Sequence, residues 1–161
     1  MIWRLSLCKS RKVMTQITDY AKLLELAIAI AHKAHAGQLD KAGKPYILHP
    51  LTVMAQMDTD ESKIVAVLHD AIEDSDLTIE ELLQEGFPTL ITDAIAAITK
   101  MDGEMYADYL LRVMANAIAR KVKIADVTHN MDISRIANPT EKDFQRLEKY
   151  KKVLNQLSVA Q

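Results

Sequence analysis

Hydrophobic residues recur at helical spacing along most of this chain. Between Tyr20 and His35 they fall three or four residues apart, and Thr18 or Asp19 can cap the start of that helix. The same pattern predicts further helices that begin near Pro50, Ile79, Ile91, Met105, Ala117 and Glu141. No hairpin signal interrupts the series. The pattern therefore predicts an all-α bundle of seven or eight helices.

The most informative stretch is residues 64–74, IVAVLHDAIED, in which five apolar residues precede a polar cluster. On a helix, His69 and Glu73 lie one turn apart, and so do Asp70 and Asp74. On a strand, His69 and Asp70 would point to opposite faces. Only the helix gathers an imidazole and three carboxylates, and a divalent cation would compensate their charge. The alternative is an ordinary solvated helix face.

A second polar cluster lies further along the chain. Asp126 follows an apolar stretch, and Asn130 lies one helical turn beyond it. An aspartate embedded in this way is expected to pair with a lysine or to bind a metal ion. Between these segments and the first helix, His49 stands before Pro50, which predicts an extended conformation for His49 at the entrance of a helix.

Composition and charge limit the classes of function. The chain has 161 residues, which fits one domain, and its net charge is −2. The sequence contains no basic stripe of the kind that indicates a nucleic-acid groove. It also contains no apolar run long enough to span a membrane. The single cysteine, Cys8, excludes an internal disulfide and is compatible with the cytoplasm.

The first thirteen residues differ from the rest of the chain. They contain four basic residues and no acidic one, and Arg4 interrupts their apolar run. That run is too short for a secretory signal. We expect residues 1–13 to be a disordered leader, or a segment read from an upstream start codon with Met14 as the true start. Residues 14–161 are then expected to form a single domain.

Four segments taken together resemble a known family. HAGQ at 35–38, KAGKPYILHP at 41–50, HDAIED at 69–74 and IADVTHNM at 124–131 are similar to the hydrolase domain of the RelA/SpoT family of HD-domain phosphohydrolases. Their order and spacing also resemble the single-domain alarmone hydrolases, including the metazoan SpoT homologues. The resemblance runs from about Tyr20 to Met131, and it implies the HD-domain helical bundle.

The resemblance also implies a metal centre. Two imidazoles and two carboxylates would bind one divalent cation, typically manganese, and they are His49, His69, Asp70 and Asp126. Ligand type alone leaves iron, zinc or cobalt open. The resemblance implies that the metal activates a water molecule and polarises a phosphoryl oxygen.

The resemblance assigns the remaining site residues and the reaction. Glu73 and Asp74 would be the catalytic carboxylates, Lys41 would meet a phosphate, and Asn130 would contact the ribose or phosphate side of the substrate. The family removes the 3′-pyrophosphate from guanosine tetra- or pentaphosphate. The implied partner is therefore a small nucleotide, and neither nucleic acid nor a membrane is expected.

Several substrate-facing positions depart from the family pattern. Asp40 stands where the family has an arginine that packs on guanine, next to Lys41. Residues 127–128 and Ile133 also differ from the usual pattern. Asp40 is expected to place a negative charge near an anionic substrate, which predicts weak use of guanosine tetraphosphate and a gain from Asp40→Arg.

Two histidines are given structural roles. His35 is interpreted as a helix-end histidine, and His129 is expected to face away from Asn130 and to serve in packing. Three functions remain open at this point: an alarmone hydrolase, a phosphohydrolase of another nucleotide, or a nucleotide-binding module without catalysis. The presence of both Glu73 and Asp74 argues against the last.

Overall fold

The computed structural model describes residues 18–159, so the predicted leader and the alternative start at Met14 lie outside the described residues. Within that range the chain forms eight α-helices and no strand. The helices are α1 Tyr20–Ala34, α2 Leu48–Ala55, α3 Asp60–Leu68, α4 Ile79–Gln84, α5 Thr89–Ile98, α6 Tyr106–Ala115, α7 Ala117–Asn130 and α8 Glu141–Val159. A short 3-10 turn, Ile133–Arg135, joins α7 to α8. The predicted all-α bundle is confirmed.

Helix α3 occupies the centre of the bundle. Its apolar run, residues 64–68, is completely buried, and α3 packs against α1, α2, α5 and α7. A helix that is apolar on all sides is stable in water only when neighbours cover each side. Since the polar cluster follows this run directly, the burial of α3 places His69 inside the protein, where it is 1% exposed.

A smaller apolar cluster joins the C-terminal helices. Tyr109 and Val113 from α6 meet Val127 from α7 and Val153 and Leu157 from α8, all of them buried. This cluster secures α7 from the side opposite α3. Helix α7 is therefore held between the two apolar clusters, which fixes the position of its polar residues.

Side chains at the helix starts explain several boundaries. Asp19 accepts from the Lys22 amide at the start of α1, and Thr78 forms a capping box with Glu81 at the start of α4. Asn116 accepts from the Ala119 amide, which starts α7 and produces the predicted break after α6. Such caps typically contribute about 1 kcal/mol each.

The α-helix of the central segment ends earlier than predicted. Helix α3 stops at Leu68, and residues 69–74 continue as hydrogen-bonded turns in which the Asp74 amide still bonds to the Asp70 carbonyl. The Ala66 carbonyl, which would accept from the Asp70 amide in a continued helix, accepts from the His69 ring instead. The turns nevertheless keep the four polar residues together.

The extended conformation predicted for His49 is wrong. Helix α2 begins at Leu48, so His49 is its second residue and Pro50 its third. The missing amide of Pro50 costs nothing there, because the first amides of a helix have no partner within it. The His49 amide bonds to the Tyr46 carbonyl, and both His49 and Pro50 are buried.

No helix among residues 18–159 has the length and apolar character needed to cross a bilayer.

Candidate active site

Three helices bring together three residues that could hold a metal ion. They are His49 from α2, His69 at the end of α3 and Asp126 from α7, all buried, with ligand atoms within 4.8 Å of one another. Nε2 of His49 lies 3.1 Å from Oδ1 of Asp126, and Nε2 of His69 lies 3.7 Å from the same oxygen. Two imidazole nitrogens and a carboxylate oxygen are donors suited to divalent transition metals.

Both histidines are oriented for metal binding. The Nδ1 atom of His69 donates to the Ala66 carbonyl at 2.7 Å, so Nε2 is the ring nitrogen that is available to a metal ion. Nε2 of His49 and Nε2 of His69 are buried without a hydrogen-bond partner among the described residues. A bound cation would satisfy both nitrogens, so the residues present fit the metal that the family resemblance implies.

His129 contacts and orients His49. Its ring stacks on His49 with centroids 4.9 Å apart, and the two Nδ1 atoms are 2.7 Å apart. Burial, together with the positive charge of Arg135, lowers the pKa of His129 to about 4. A neutral His129 accepts from His49 at Nδ1, as well as from Arg135 at 3.2 Å. The prediction that His129 faces away from the site is wrong.

Asp70 lies beside the three-residue cluster. Its Oδ2 atom is 3.1 Å from Nε2 of His69 and 3.6 Å from Nε2 of His49. The same oxygen accepts from the Tyr46 hydroxyl at 2.6 Å. Burial and the charge of Asp70 raise the pKa of Tyr46, so Tyr46 remains a hydrogen-bond donor. Tyr46 therefore fixes the orientation of a carboxylate within reach of the cluster.

Asp126 combines the two roles left open for it by the sequence. Oδ2 pairs with the Lys123 ammonium at 2.9 Å, while Oδ1 faces the imidazoles and accepts from Asn130 at 2.6 Å. Burial opposes ionisation of Asp126, but Lys123 and the neighbouring imidazoles hold its pKa well below the ordinary value. The carboxylate is therefore ionised, with one oxygen directed at the metal cluster.

The two predicted catalytic carboxylates lie on the turns after α3. Glu73 accepts from the Lys100 backbone amide at 2.5 Å, and Asp74 lies 3.6 Å from the His35 ring. Burial, with the charge of Asp70 added, raises the pKa of both carboxylates. A raised pKa makes each a stronger base once it is ionised.

A cavity of about 290 Å³ opens next to the metal cluster. His49 and Asn130 are part of its lining, together with three cationic side chains, Lys41, Arg135 and Arg146, and two acidic ones, Asp40 and Asp132. Cations therefore outnumber acids by one in a cavity that reaches the cluster.

Asp40 has a different role from the one predicted. Its Oδ1 atom accepts from the Ala42 and Lys44 amides, both at 2.9 Å, and its Oδ2 atom pairs with Arg135 at 3.1 Å. These bonds hold the pKa of Asp40 below its ordinary value, although burial opposes them. Asp40 does line the cavity, where the sequence predicts its negative charge, but that charge is paired with Arg135.

Comparison with known proteins identifies the family. A family model described as an HD domain matches residues 27–159. The chain belongs to the HD domain family. The match covers all three residues of the metal cluster as well as Glu73 and Asp74.

Several curated relatives of this HD domain come from bacteria. It is 34% identical over 131 residues to a protein of Streptomyces coelicolor named GTP pyrophosphokinase, and 30% identical over 128 residues to the bifunctional (p)ppGpp synthase/hydrolase SpoT of Escherichia coli. It is 35% identical over 117 residues to a protein of Haemophilus influenzae named guanosine-3′,5′-bis(diphosphate) 3′-pyrophosphohydrolase. These alignments cover 73%, 70% and 63% of this chain but only 15%, 18% and 17% of the relatives' lengths.

A solved structure shares the fold of this HD domain. It is described as a metazoan ortholog of SpoT that hydrolyzes ppGpp and plays a role in starvation responses. The TM-score is 0.70 over 86% of each chain, at 22% identity. This likeness supports the HD-domain architecture inferred from the helices.

Several functional neighbours in this HD domain were not recognised from sequence. Tyr46 and Lys123 orient two of the site carboxylates, and His129 orients His49. His35 is the C-cap of α1, as its helix-end interpretation predicts, but its buried ring also contacts Tyr46 and Asp74. The sequence signal for Tyr46, His129 and His35 was their position inside the four motifs, whereas Lys123 directly precedes the last motif.

Proposed function

We propose that this HD domain protein is a metal-dependent phosphohydrolase that removes the 3′-pyrophosphate of guanosine tetra- or pentaphosphate. The observation that carries the proposal is the pair Glu73 and Asp74, which directly follows His69 and Asp70 at the buried His–His–Asp cluster. A cavity whose lining includes three cationic side chains opens next to that cluster. The names of the Escherichia coli and Haemophilus influenzae relatives support the choice of substrate. We place the enzyme in the cytoplasm.

The metal would be held by His49, His69 and Asp126, with Asp70 as the fourth ligand. Manganese is the proposed cation, on the strength of the family resemblance. When bound, it lowers the pKa of a water molecule and polarises a phosphoryl oxygen. Tyr46, His129 and Lys123 hold the ligands in position, and such outer partners commonly change metal affinity ten- to a hundred-fold, as an order of magnitude.

The protein residues carry the proton transfers and bind the substrate. Glu73 or Asp74 accepts a proton from the water that attacks the phosphorus on the 3′-oxygen, and the bond between that phosphorus and the 3′-oxygen breaks. The 3′-oxygen takes up a proton, and pyrophosphate leaves with GDP or GTP as the other product. Lys41 offsets phosphate charge, and Asn130 contacts the ribose or phosphate side.

A substrate panel tests this proposal. Purified protein with manganese is offered guanosine tetraphosphate, nucleoside monophosphates and nucleoside triphosphates, and pyrophosphate and phosphate release are measured. We expect pyrophosphate from the alarmone, and we expect the Glu73→Gln variant to lack this activity. Preferred turnover of another nucleotide would indicate a different phosphohydrolase. Saturable nucleotide binding without turnover of any compound would indicate a binding module.

A further inference from the structure

The Glu73 carboxylate is held by a residue from a distant loop. Its Oε1 atom accepts from the backbone amide of Lys100, which lies in the loop between α5 and α6. The bond is short, at 2.5 Å, and the acceptor is a carboxylate. Charge-assisted bonds of this kind are roughly twice as strong as neutral ones. The position of Glu73 beside the metal cluster thus depends on the position of this loop.

Arg112 on α6 binds the other side of the same peptide group. The Lys100 amide and the Thr99 carbonyl belong to one planar peptide unit, and Arg112 donates to that carbonyl from Nη2 at 2.9 Å. Because the unit is rigid, fixing the direction of the carbonyl also fixes the direction of the N–H. A cation at the carbonyl oxygen also polarises the peptide and strengthens its N–H as a donor.

The remaining contacts of Arg112 hold the loop on both sides of this peptide. Nη1 donates to the Ala96 carbonyl at 2.6 Å, and Nε and Nη2 donate to the two carboxylate oxygens of Glu104 at 2.8 and 2.7 Å. Glu104 in turn accepts from the Met101 amide at 3.0 Å. One guanidinium therefore ties the end of α5 to the residue that follows Lys100.

We propose that Arg112 is a positioning residue for Glu73, acting through the Thr99–Lys100 peptide. The inference rests on the proposed function, since it assumes that Glu73 takes part in the chemistry. Lysine cannot replace Arg112 in this role, because an ammonium lacks the planar set of donors that reaches two carbonyls and a carboxylate together. The Arg112→Lys variant therefore removes the arrangement and keeps the charge.

The hydrogen bond from the Lys100 amide to Glu73 can be tested directly by placing a proline at position 100. Thr99 has φ −77° and ψ 120°, a conformation that a following proline accepts. Lys100→Pro removes the amide proton, and Lys100→Ala is the matched control that keeps it while losing the same side chain. We expect kcat to be about ten-fold lower in Lys100→Pro than in Lys100→Ala, as for loss of a hydrogen bond to a charged group. KM and metal content should be equal in the two variants.

A double-variant cycle tests whether Arg112 acts through this peptide. Arg112→Lys should lower kcat about ten-fold in the wild-type background. In the Lys100→Pro background, Arg112→Lys should lower the melting temperature but leave kcat nearly unchanged, since the N–H donor to Glu73 is already absent. A merely structural role would lower kcat by the same factor in both backgrounds. Arg120→Lys is the control, because Arg120 is also half-buried and donates to a carbonyl, that of Leu157, outside the site.

The outcomes separate this inference from the proposed function. If Glu73→Gln keeps wild-type turnover, the catalytic role of Glu73 is wrong and the inference falls with it. If Glu73→Gln is slow but Lys100→Pro and Lys100→Ala have equal kcat, only the inference is overturned. Should Lys100→Pro fail to fold in a thermal melt, equal kcat in Arg112→Lys and Arg120→Lys would overturn it, and a selective loss in Arg112→Lys would support it.

Discussion

Glu73 and Asp74 are the residues on which the proposed chemistry depends. Replacing Glu73 by Gln keeps the size of the side chain and its bond to the Lys100 amide but removes the base. We expect Glu73→Gln to lose at least about a hundred-fold in turnover, the lower end of the usual contribution of such groups. Metal content and melting temperature should stay near wild type, and Asp74→Asn should behave similarly.

This expectation can fail in two informative ways. Turnover near the wild-type level in Glu73→Gln would remove Glu73 from the mechanism. Loss of metal would make Glu73 a ligand, and the assignment of the four ligands would then have to be redrawn. Elemental analysis beside the kinetic assay separates the two cases.

Asp40 is the residue for which the structure changes the expected effect of a substitution. The sequence predicts a gain from Asp40→Arg, whereas the paired carboxylate now predicts a loss. Asp40→Arg would remove the acceptor for two loop amides and would place a second guanidinium beside Arg135. We expect lower catalytic efficiency and a lower melting temperature than in Asp40→Asn, which keeps an oxygen acceptor. Higher efficiency in Asp40→Arg would restore the original prediction.

The chemistry of single residues was partly readable from the sequence. His69, Asp70 and Asp126 stood out because polar groups next to apolar runs need partners, and His49 was added by the family motif. Their outer partners could not be predicted, because periodicity describes neighbours on one helix only. The contact between His49 and His129 joins residues 80 positions apart, and no local pattern encodes it.

At the level of helices, the hydrophobic pattern located most of the elements but not all of their ends. Helix α4 has the predicted bounds because its capping box is a local signal. Helix α3 ends earlier than predicted because the His69 ring takes the Ala66 carbonyl. Helix α2 begins earlier than predicted because burial of His49 and Pro50 outweighs the local preference of a residue before proline.

The contact between α6 and the end of α5 should depend on pH in a defined way. Hydrogen bonds from Arg112 and the Met101 amide lower the pKa of Glu104 to about 2, from an ordinary value of 4.5. A carboxylate with a lowered pKa contributes stability above its ordinary pKa, and the contribution is lost as the pH falls through the lowered value. We therefore expect the wild type to have a higher melting temperature than Glu104→Gln at neutral pH. The difference in melting temperature should shrink from about pH 5 towards pH 2.

The matched control for this measurement is Glu148→Gln. Glu148 pairs with Lys151 on α8, but both side chains are at least half exposed. Exposed ion pairs contribute little to stability, so this variant should have the same melting temperature as the wild type at every pH. A difference between wild type and Glu104→Gln that stays constant down to pH 2 would contradict the role given to the charge of Glu104.

For the whole molecule, the prediction concerns one bound metal ion per chain. His69→Ala and Asp126→Ala should each lose the metal, because they remove ligands that come from different helices. His32→Ala is the control and should keep it, since His32 is exposed on α1. Elemental analysis gives the occupancy. Full occupancy in both ligand variants would contradict the assignment of the site.

Metal binding should also stabilise the fold, because the ligands join α2, the end of α3 and α7. A ligand that binds only the folded state adds about 2.7 kcal/mol at a hundred times its dissociation constant. Removal of the metal with a chelator should therefore lower the melting temperature of the wild type but not that of Asp126→Ala. The family motifs indicated this site. How the helices pack around it could not be predicted, because hydrophobic periodicity shows which face of a helix is buried but not which other helix covers that face.

The wide separation of His49 and Asp126 along the chain has a consequence for biosynthesis. While only α1 to α5 have emerged from the ribosome, the two histidines of the cluster are outside it but Asp126 is not. The nascent protein cannot complete the cluster at that stage, and the apolar run of α3 still lacks its cover from α7. With the proposed ligands, metal binding by all three donors has to wait until α7 has emerged, and a chain interrupted before Asp126 would lack one of them.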